Sequence, residues 1–580
     1  MKSRHMQSRL VLLFTILAIV LAAFADMPIS GGEQWLFTLN ITAAAGETMD
    51  IEVLAPYWEE LGIKVNIRPI DQNLLEKLRT ESVQTYAEGG WDIIRDQESV
   101  ITDPDRSLQY SSMNVMPKGM GNPGSFNNGW VDDLLKAAVS EPDTQKRAQL
   151  TNELQEILWD EVPDIIMYQI GRIELFNKII PLENAMAYGS NTAIGMSNVA
   201  YQMARYIDPI PGKDSIRLGY ARDRRGYLTI YGSGYYCKGH SANLVYCNAA
   251  GGVDPELAES WEITNQGTTF TFHLRNDAYW SDGVQFTSSD AKFTLDTIMN
   301  PDSLGYFSVD FNTWIESVEA PDPFTLVINA KAAYMPLLAK LGHKYGVQML
   351  PWHVMKDVPV TEFPTSSYNL EPGALPTLGP WKPLEFVPGQ YTSYEAYNGS
   401  VIWKILEKDP PFKYCYIETV PDAMTQLLAL ETGELDILHS AGPWTTMYSE
   451  LQGNPNYYTN SFPYPSFSRL ILNLNHPQLS NKYVRQALAC ATPSEKIIEV
   501  SQSGLGTSTS LMWPEAQLST EYKDARPFDL EEAKELLALA GYVQQAAEDS
   551  EFPLLAIVTA ISGIAIGAII TAVVMRRRKG

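Results

Sequence analysis

An α/β fold interrupted by an irregular β-rich insertion is predicted from three observations. Strand and helix patterns alternate near the front, short strands without intervening helices crowd the middle, and helical periodicity returns toward the end. At the front WLFTLNIT is apolar and β-branched, IEVLAPYWEELG is amphipathic and stops at Gly62, and KVNIRPI restarts a strand at once. A second helix over roughly 73–82 precedes the strand WDIIR, and Thr144 to Trp159 carries apolar residues at helical spacing before Pro163. Around Ile207-Asp208-Pro209-Ile210-Pro211-Gly212 the periodicity stops and a strand begins at Ser215, which predicts an internal boundary. The middle holds the strands TTFTFHLR, FTLVINA and YCYIETV and a turn-rich stretch from Pro351 to Pro388. Helices follow near Ala423 to Thr432, Lys482 to Ala491 and Asp529 to Ala540.

The two ends read differently from the body. Lys2, Arg4 and Arg9 precede an apolar run from Leu10 to Phe24 and the site Ala23-Phe24-Ala25, the pattern of a signal peptide (1–25) cleaved after Ala25; a signal anchor is the alternative. Pro553 to Met575 carries no charge and is followed by Arg576-Arg577-Arg578-Lys579, which predicts one transmembrane helix (553–575) and a cytoplasmic tail (576–580). A buried core helix is the competing reading, but it would need a polar face. The expectation is a cell-membrane protein with an extracellular ectodomain and a cytoplasmic C-terminus.

More than 500 residues lie between these ends, enough for two or three domains. The formal charge of −25 argues against nucleic acid or an anionic membrane surface as partner, since both select basic patches. Cys237 and Cys247 lie close in a loop-like stretch and suggest a local disulfide in an oxidising compartment, whereas Cys415 and Cys490 read as small buried thiols. Asn40 and Asn398 begin N-glycosylation sequons.

Catalysis finds no support. There is no H-E-x-x-H, G-x-S-x-G, C-x-x-C or Walker loop, and the seven histidines show no metal-ligand spacing, so no cofactor or metal is expected. Acidic pairs such as Asp103 and Asp105 arise by chance among 68 acidic residues. Thirteen Trp and 30 Tyr, several beside turn residues, fit a binding cleft, although core packing is the plainer role for any one of them.

From Leu257 the chain reads LAESWEITNQGTTFTFHLRNDAYWSDGVQFTSSDAKFTLDTI, with LAESWE, a strand ending in HLR, then WSDG, then T-x-x-D. This order and spacing resembles the family 5 extracellular solute-binding proteins, the oligopeptide, dipeptide and nickel-type binding subunits of ABC importers. Leu378-Gly379-Pro380-Trp381, TGELDIL, LILNLNHP, VRQALACATPSEKI and FDLEEAKELLALAGY follow in family order. The stretch WLFTLNIT to NIRPIDQNLLEKL, then WDIIR, then GWVDDLLKAAVSEPDTQKRAQLTNELQEILWDEVPDIIMYQ is similar to the family's C-terminal portion, yet stands at the front. The resemblance therefore implies a circular permutant, with a C-terminal anchor of the kind archaeal members carry; a tandem array truncated at both ends is the competing account.

The family implies a two-lobed periplasmic-binding-protein-like fold of class II with an extra β-rich subdomain. The expected divisions are 32–163 for a C-terminal-lobe part, 164–243 for hinge and first lobe including a linker over 203–214, and 244–373 for the β-rich subdomain. The remainder divides into 374–466 for the first lobe, 467–542 for the rest of the C-terminal lobe and 543–552 for a linker to the membrane. The implied function is capture of a peptide or oligosaccharide by lobe closure and delivery to a permease with ATPase subunits. A ligand-sensing receptor without transport, or a surface hydrolase, are the alternatives. Peptide-binding relatives capture the amino terminus with an Asp shortly after the strand equivalent to WDIIR; here that offset falls on Ser99, Val100 and Ile101, with Asp96, Glu98 and Asp103 nearest. The expected ligand contacts are Gly234, Tyr235 and Tyr236 on one lobe, Asp96 and Gln97 on the other, and Trp444 and Trp513 at the cleft.

Overall fold

The computed structural model describes residues 35–81, 84–99, 103–115, 122–192, 199–221, 226–228, 230, 238–248, 252–303, 305, 307–342, 347, 349–440, 447–513 and 525–543. The chain divides into two units. In one, the rings of Phe37 and Tyr542 meet edge-on at 4.9 Å. The other is Thr38–Ala540 and carries the architecture.

Seventeen strands are described: β1 (Phe37–Ala44), β2 (Ile63–Ile70), β3 (Ile93–Ser99), β4 (Asp164–Asn177), β5 (Ser215–Tyr220), β6 (Val245–Cys247), β7 (Val253–Pro255), β8 (Ala258–Thr264) and β9 (Thr269–Leu274), then β10 (Ile315–Asp322), β11 (Thr325–Ala330), β12 (Trp381–Val387), β13 (Tyr391–Ala396), β14 (Tyr414–Thr419), β15 (Ile437–Ser440), β16 (Tyr457–Leu472) and β17 (Gly506–Thr507). Eleven form one sheet in the order β12-β13-β14-β5-β15-β4-β16-β3-β1-β2, with β17 on β4; β10-β11-β9-β8 form a second sheet and β6-β7 a third.

The large sheet has two halves. β12 to β15 belong to a first lobe whose core includes Ile216, Trp381, Tyr394 and Ile437. β1, β2 and β3 belong to a C-terminal lobe, in which the helices Gly129–Ser140 and Thr144–Glu161 pack together and bury Val131, Leu135, Leu154 and Leu158 with Tyr110 and Trp513. Asn128 and Asp143 cap these helices by accepting from the N–H groups of their first turns. Among the described residues, β4 and β16 are the strands that run through both lobes.

The β-rich subdomain encloses the largest core, around Phe270, Phe272, Trp280, Leu295 and Leu326. Trp280 is buried, and Gly283, at φ +92, donates its N–H to the Trp280 carbonyl in the turn expected from WSDG. The T-x-x-D element is a capping box: the Thr287 N–H donates to Asp290 Oδ2 at 2.9 Å, while the Asp290 N–H returns to the Thr287 carbonyl at 3.0 Å.

Residues 203–214, the expected linker, are packed against the first-lobe core. The helix Val199–Tyr206 ends in it, Met203, Ala204 and Ile207 are fully buried, and Lys213 pairs with Asp436 at 2.9 Å. Ile207 and Ile210 anchor its successive turns to one core. Among the described residues no helix is long and apolar enough to cross a membrane; the predicted segments 1–25 and 553–575 lie outside them.

Candidate functional site

β4 and β16 pair in two registers. Tyr457 to Pro463 face Asn177 to Gly171 in the first lobe, and Phe467 to Ile471 face Gln169 to Asp164 in the C-terminal lobe, so Tyr464, Pro465 and Ser466 stand against Ile170. Proline cannot donate to a ladder and is accommodated at such bulges. β17 crosses at the same level, Gly506 opposite Ile170. Gly171 is required there because a Cβ would stand 2.5 Å from Leu505 Cγ and 3.0 Å from the Leu505 carbonyl carbon. The Arg172 guanidinium lies 3.5 Å from the Tyr464 ring centroid, and Gln169 Nε2 donates to the Tyr464 carbonyl at 3.0 Å.

Strand ends converge on this bulge from both lobes. β3, parallel to β1, ends at Ser99 opposite Ser466, the two Oγ atoms 3.2 Å apart. β15, parallel to β5, ends at Ser440 opposite Ile173. Ligands of open α/β sheets bind in the crevice outside the carboxyl ends of strands, which makes this junction the candidate cleft.

Two buried charge clusters flank it on opposite faces of β3. On one, Arg469 of β16 donates to Asp96 at 3.1 and 3.3 Å, Glu98 at 2.9 Å and Asp164 at 3.2 Å, and the Tyr110 hydroxyl donates to Asp164 at 3.2 Å. Burial raises the pKa of Glu98 and Asp164 above the ordinary carboxylate range, although Arg469 pulls both back. Burial also opposes the charge on Arg469, but Glu98, Asp96 and Asp164 outweigh it and hold the guanidinium protonated. On the other face Asp50 accepts from Arg95 at 2.9 and 3.2 Å, from Tyr168 at 3.0 Å and from Ser468 at 3.0 Å.

The expected contacts fare unevenly. Gln97 is exposed on β3 beside the cleft, while Asp96 is bound to Arg469 and so is already neutralised as an amine acceptor. Trp513, expected at the cleft, is instead fully buried: it stacks on Tyr110 at 6.3 Å, lies 5.0 Å from the Arg106 guanidinium and donates to the Pro104 carbonyl at 3.3 Å. Its neighbour Pro514 suggests a loop, but the indole fills the core under Leu135 and Leu158. Gly234, Tyr235, Tyr236, Cys237 and Trp444 lie outside the described residues. Cys247 is buried with its thiol 3.3 Å from the Ala339 carbonyl, and Cys415 and Cys490 are buried as expected. Asn398 sits in an exposed turn, whereas the Asn40 amide donates to Asp92 at 2.7 Å and accepts from Asn66 at 3.1 Å, which ties it down as a glycan acceptor. Sequence reasoning missed Arg469 and Asp164; the available signal was an arginine interrupting the apolar strand SFSRLIL.

The model for bacterial extracellular solute-binding proteins, family 5 Middle, matches residues 252–564. The chain is 27% identical over 315 residues to heme-binding protein A of Haemophilus influenzae, covering 50% of this chain and 54% of that protein. It is 26% identical over 313 residues to the nickel-binding periplasmic protein of Escherichia coli, covering 53% and 56%, and 26% identical over 288 residues to the glutathione-binding protein GsiB of Pectobacterium atrosepticum, covering 49% and 52%. The chain thus spans about half the length of these curated relatives. A solved structure, NikZ from Campylobacter jejuni in complex with Ni(L-His), is similar at TM-score 0.45 and 21% identity over 59% of this chain and 65% of that one. With more than half of its length matched by the family model, this chain belongs to the family 5 extracellular solute-binding proteins.

Proposed function

We propose that the chain is the solute-binding component of an ABC importer, closing its two lobes over a peptide or oligosaccharide and passing it to a permease with ATPase subunits. The observation that carries this reading is the sheet itself: among the described residues two strands, β4 and β16, connect the lobes, and strand carboxyl ends from both lobes meet at their bulge. A two-strand connection lets one lobe rotate against the other by changing a few backbone angles. Native mass spectrometry of the chain purified from its own host tests the reading. A co-purified peptide or oligosaccharide is the expected result; a chain that retains no solute and binds neither class in calorimetry overturns it.

The reading includes a circular permutation and a C-terminal anchor that holds the ectodomain outside the cell. The family model begins its match at residue 252, yet the C-terminal lobe is assembled from both ends of the chain. β1 to β3 come from the front, and β16 and the helices Lys482–Cys490 and Leu530–Leu539 from the rear. The two parts share a core: Trp58 Nε1 donates to the Leu488 carbonyl at 3.1 Å and Tyr57 meets Phe528 at 5.2 Å. The Phe37–Tyr542 contact leaves only a short peptide to restore the family order. A chain opened between the exposed Pro211 and Gly212, with Tyr542 joined to residue 35 through a few glycines, should fold as a monomer and melt within about 5 °C of the parent, since short surface loops cost little to close. Failure of that chain to fold as a monomer would favour the truncated tandem.

A further inference from the structure

The β-rich subdomain enters and leaves the first lobe, through β5 at its start and β12 at its end, and has no covalent connection to the C-terminal lobe. It nevertheless makes a set of polar contacts with that lobe, well away in sequence from the β4 and β16 crossing. Lys340, on the helix Leu337–Leu341, is 9% exposed and lies 2.5 Å from Asp310 of its own subdomain and 3.7 Å from Asp105 of the C-terminal lobe. The Met335 N–H donates to the Val139 carbonyl at 2.8 Å, and Ser140 Oγ donates to the Ala333 carbonyl at 3.0 Å. Val139 is buried within the subdomain's own core.

The lobe's side of the contact is braced. Arg147 binds Asp103 at 2.5 and 2.9 Å and donates Nε to the Ala138 carbonyl at 2.9 Å, tying the segment that carries Asp105 to the helix end that carries Val139 and Ser140. The Arg106 guanidinium donates to the carbonyls of Asp103, Asp105 and Met512, and Asp105 itself caps the Ser107 N–H at 2.8 Å. Burial opposes the charge on Lys340, but Asp310 and Asp105 hold it protonated. A cation placed between a carboxylate of each body loses one partner whenever the bodies separate.

We propose that Lys340 and Asp105, with the hydrogen bonds Met335 to Val139 and Ser140 to Ala333, form a latch that holds the subdomain against the C-terminal lobe in the closed conformation and must break for the cleft to open. The inference rests on lobe closure as proposed above. Asp105 follows the carboxyl end of β3 by six residues, so the segment leaving the cleft is the one that reaches the latch. Closure at the cleft and closure at the latch are thereby joined through one short stretch of backbone.

Fluorophores at the exposed Thr313 of the subdomain and the exposed Glu153 of the C-terminal lobe report the separation in the full chain by single-molecule energy transfer. Asp105→Asn keeps the oxygen that caps Ser107 and removes the charge that faces Lys340 and the neighbouring Arg106 guanidinium. It should raise the ratio of open to closed molecules about tenfold, the effect of 1.4 kcal/mol. Ser140→Ala, a mild change at an independent contact, should move the ratio in the same direction by about threefold and covers the case in which the charge variant folds poorly. A parent that opens and closes while neither variant changes the ratio overturns the latch alone. A parent with one fixed distance in every condition overturns lobe closure and the latch with it.

Discussion

Replacing Arg469 by methionine should lower the stability of the chain at neutral pH by about 3–5 kcal/mol, because removing one member of a buried ionic cluster leaves the others uncompensated. Three carboxylates, Asp96, Glu98 and Asp164, each bond this guanidinium, whose side chain is 3% exposed. Methionine fills similar volume, so the loss is electrostatic rather than a cavity. Arg469→Lys should recover part of the loss, since a single ammonium keeps the charge but lacks the fork that reaches three acceptors. Thermal unfolding of the three proteins side by side measures this.

The pH dependence separates that cause from a packing defect. Glu98 and Asp164 have folded-state pKa values above their unfolded ones, so the folded chain binds protons more tightly. Stability from such groups is greatest below the unfolded carboxylate pKa and is lost as pH rises through the folded one. Without Arg469 the folded values rise further and the loss at neutral pH grows. The gap in melting temperature between parent and Arg469→Met should therefore narrow as pH falls from 7 to 5. A gap that stays constant across that range would place the defect in packing.

Much of the fold was legible because its signals are local. The turn at Ser281-Asp282-Gly283 and the strand FTLVINA are each dictated by residues a few positions apart, and both stand where expected. The amphipathic run before Gly62 likewise became the helix Met49–Glu60, with Gly62 at φ +81. The long strands β4 and β16 were not legible. Each is buried in two different lobes, so neither keeps one alternation throughout, and Pro463 and Pro465 read as a loop until Gly171 and Ile170 are seen opposite them. Trp513 was misjudged and Arg469 missed for a related reason: their partners Tyr110 and Asp164 lie hundreds of residues away. Of the candidate site, β3 was readable as a strand, while the pairing of Asp96 depends on an arginine from a distant strand.

Gly379→Ala should cost about 3 kcal/mol, although it adds one methyl group and the backbone there is ordinary for any residue. The added carbon would lie 2.4 Å from the Gly239 carbonyl oxygen, 2.5 Å from the Ser241 nitrogen and 2.6 Å from the His240 carbonyl carbon. All three are backbone atoms, so no side chain can swing aside, and overpacking of this kind costs up to about 3 kcal/mol or more. The close approach is needed because the Leu378 and Gly379 N–H groups both reach the His240 carbonyl, at 3.3 and 3.1 Å. That contact lets Leu378 enter the subdomain core while Trp381, two residues past Gly379, enters the first-lobe core against Trp403 at 6.1 Å. Pushing the two segments apart would loosen both cores at once, which is a physical reason for glycine in the Leu-Gly-Pro-Trp element. Gly283→Ala is the contrast: φ is +92 but nothing lies within 4 Å, so the cost is strain alone, about 1–2 kcal/mol. Thermal melts should rank the parent above Gly283→Ala and Gly283→Ala above Gly379→Ala; the reverse order of the two variants would mean that the 239–241 backbone yields and that the close contact is not what fixes the glycine.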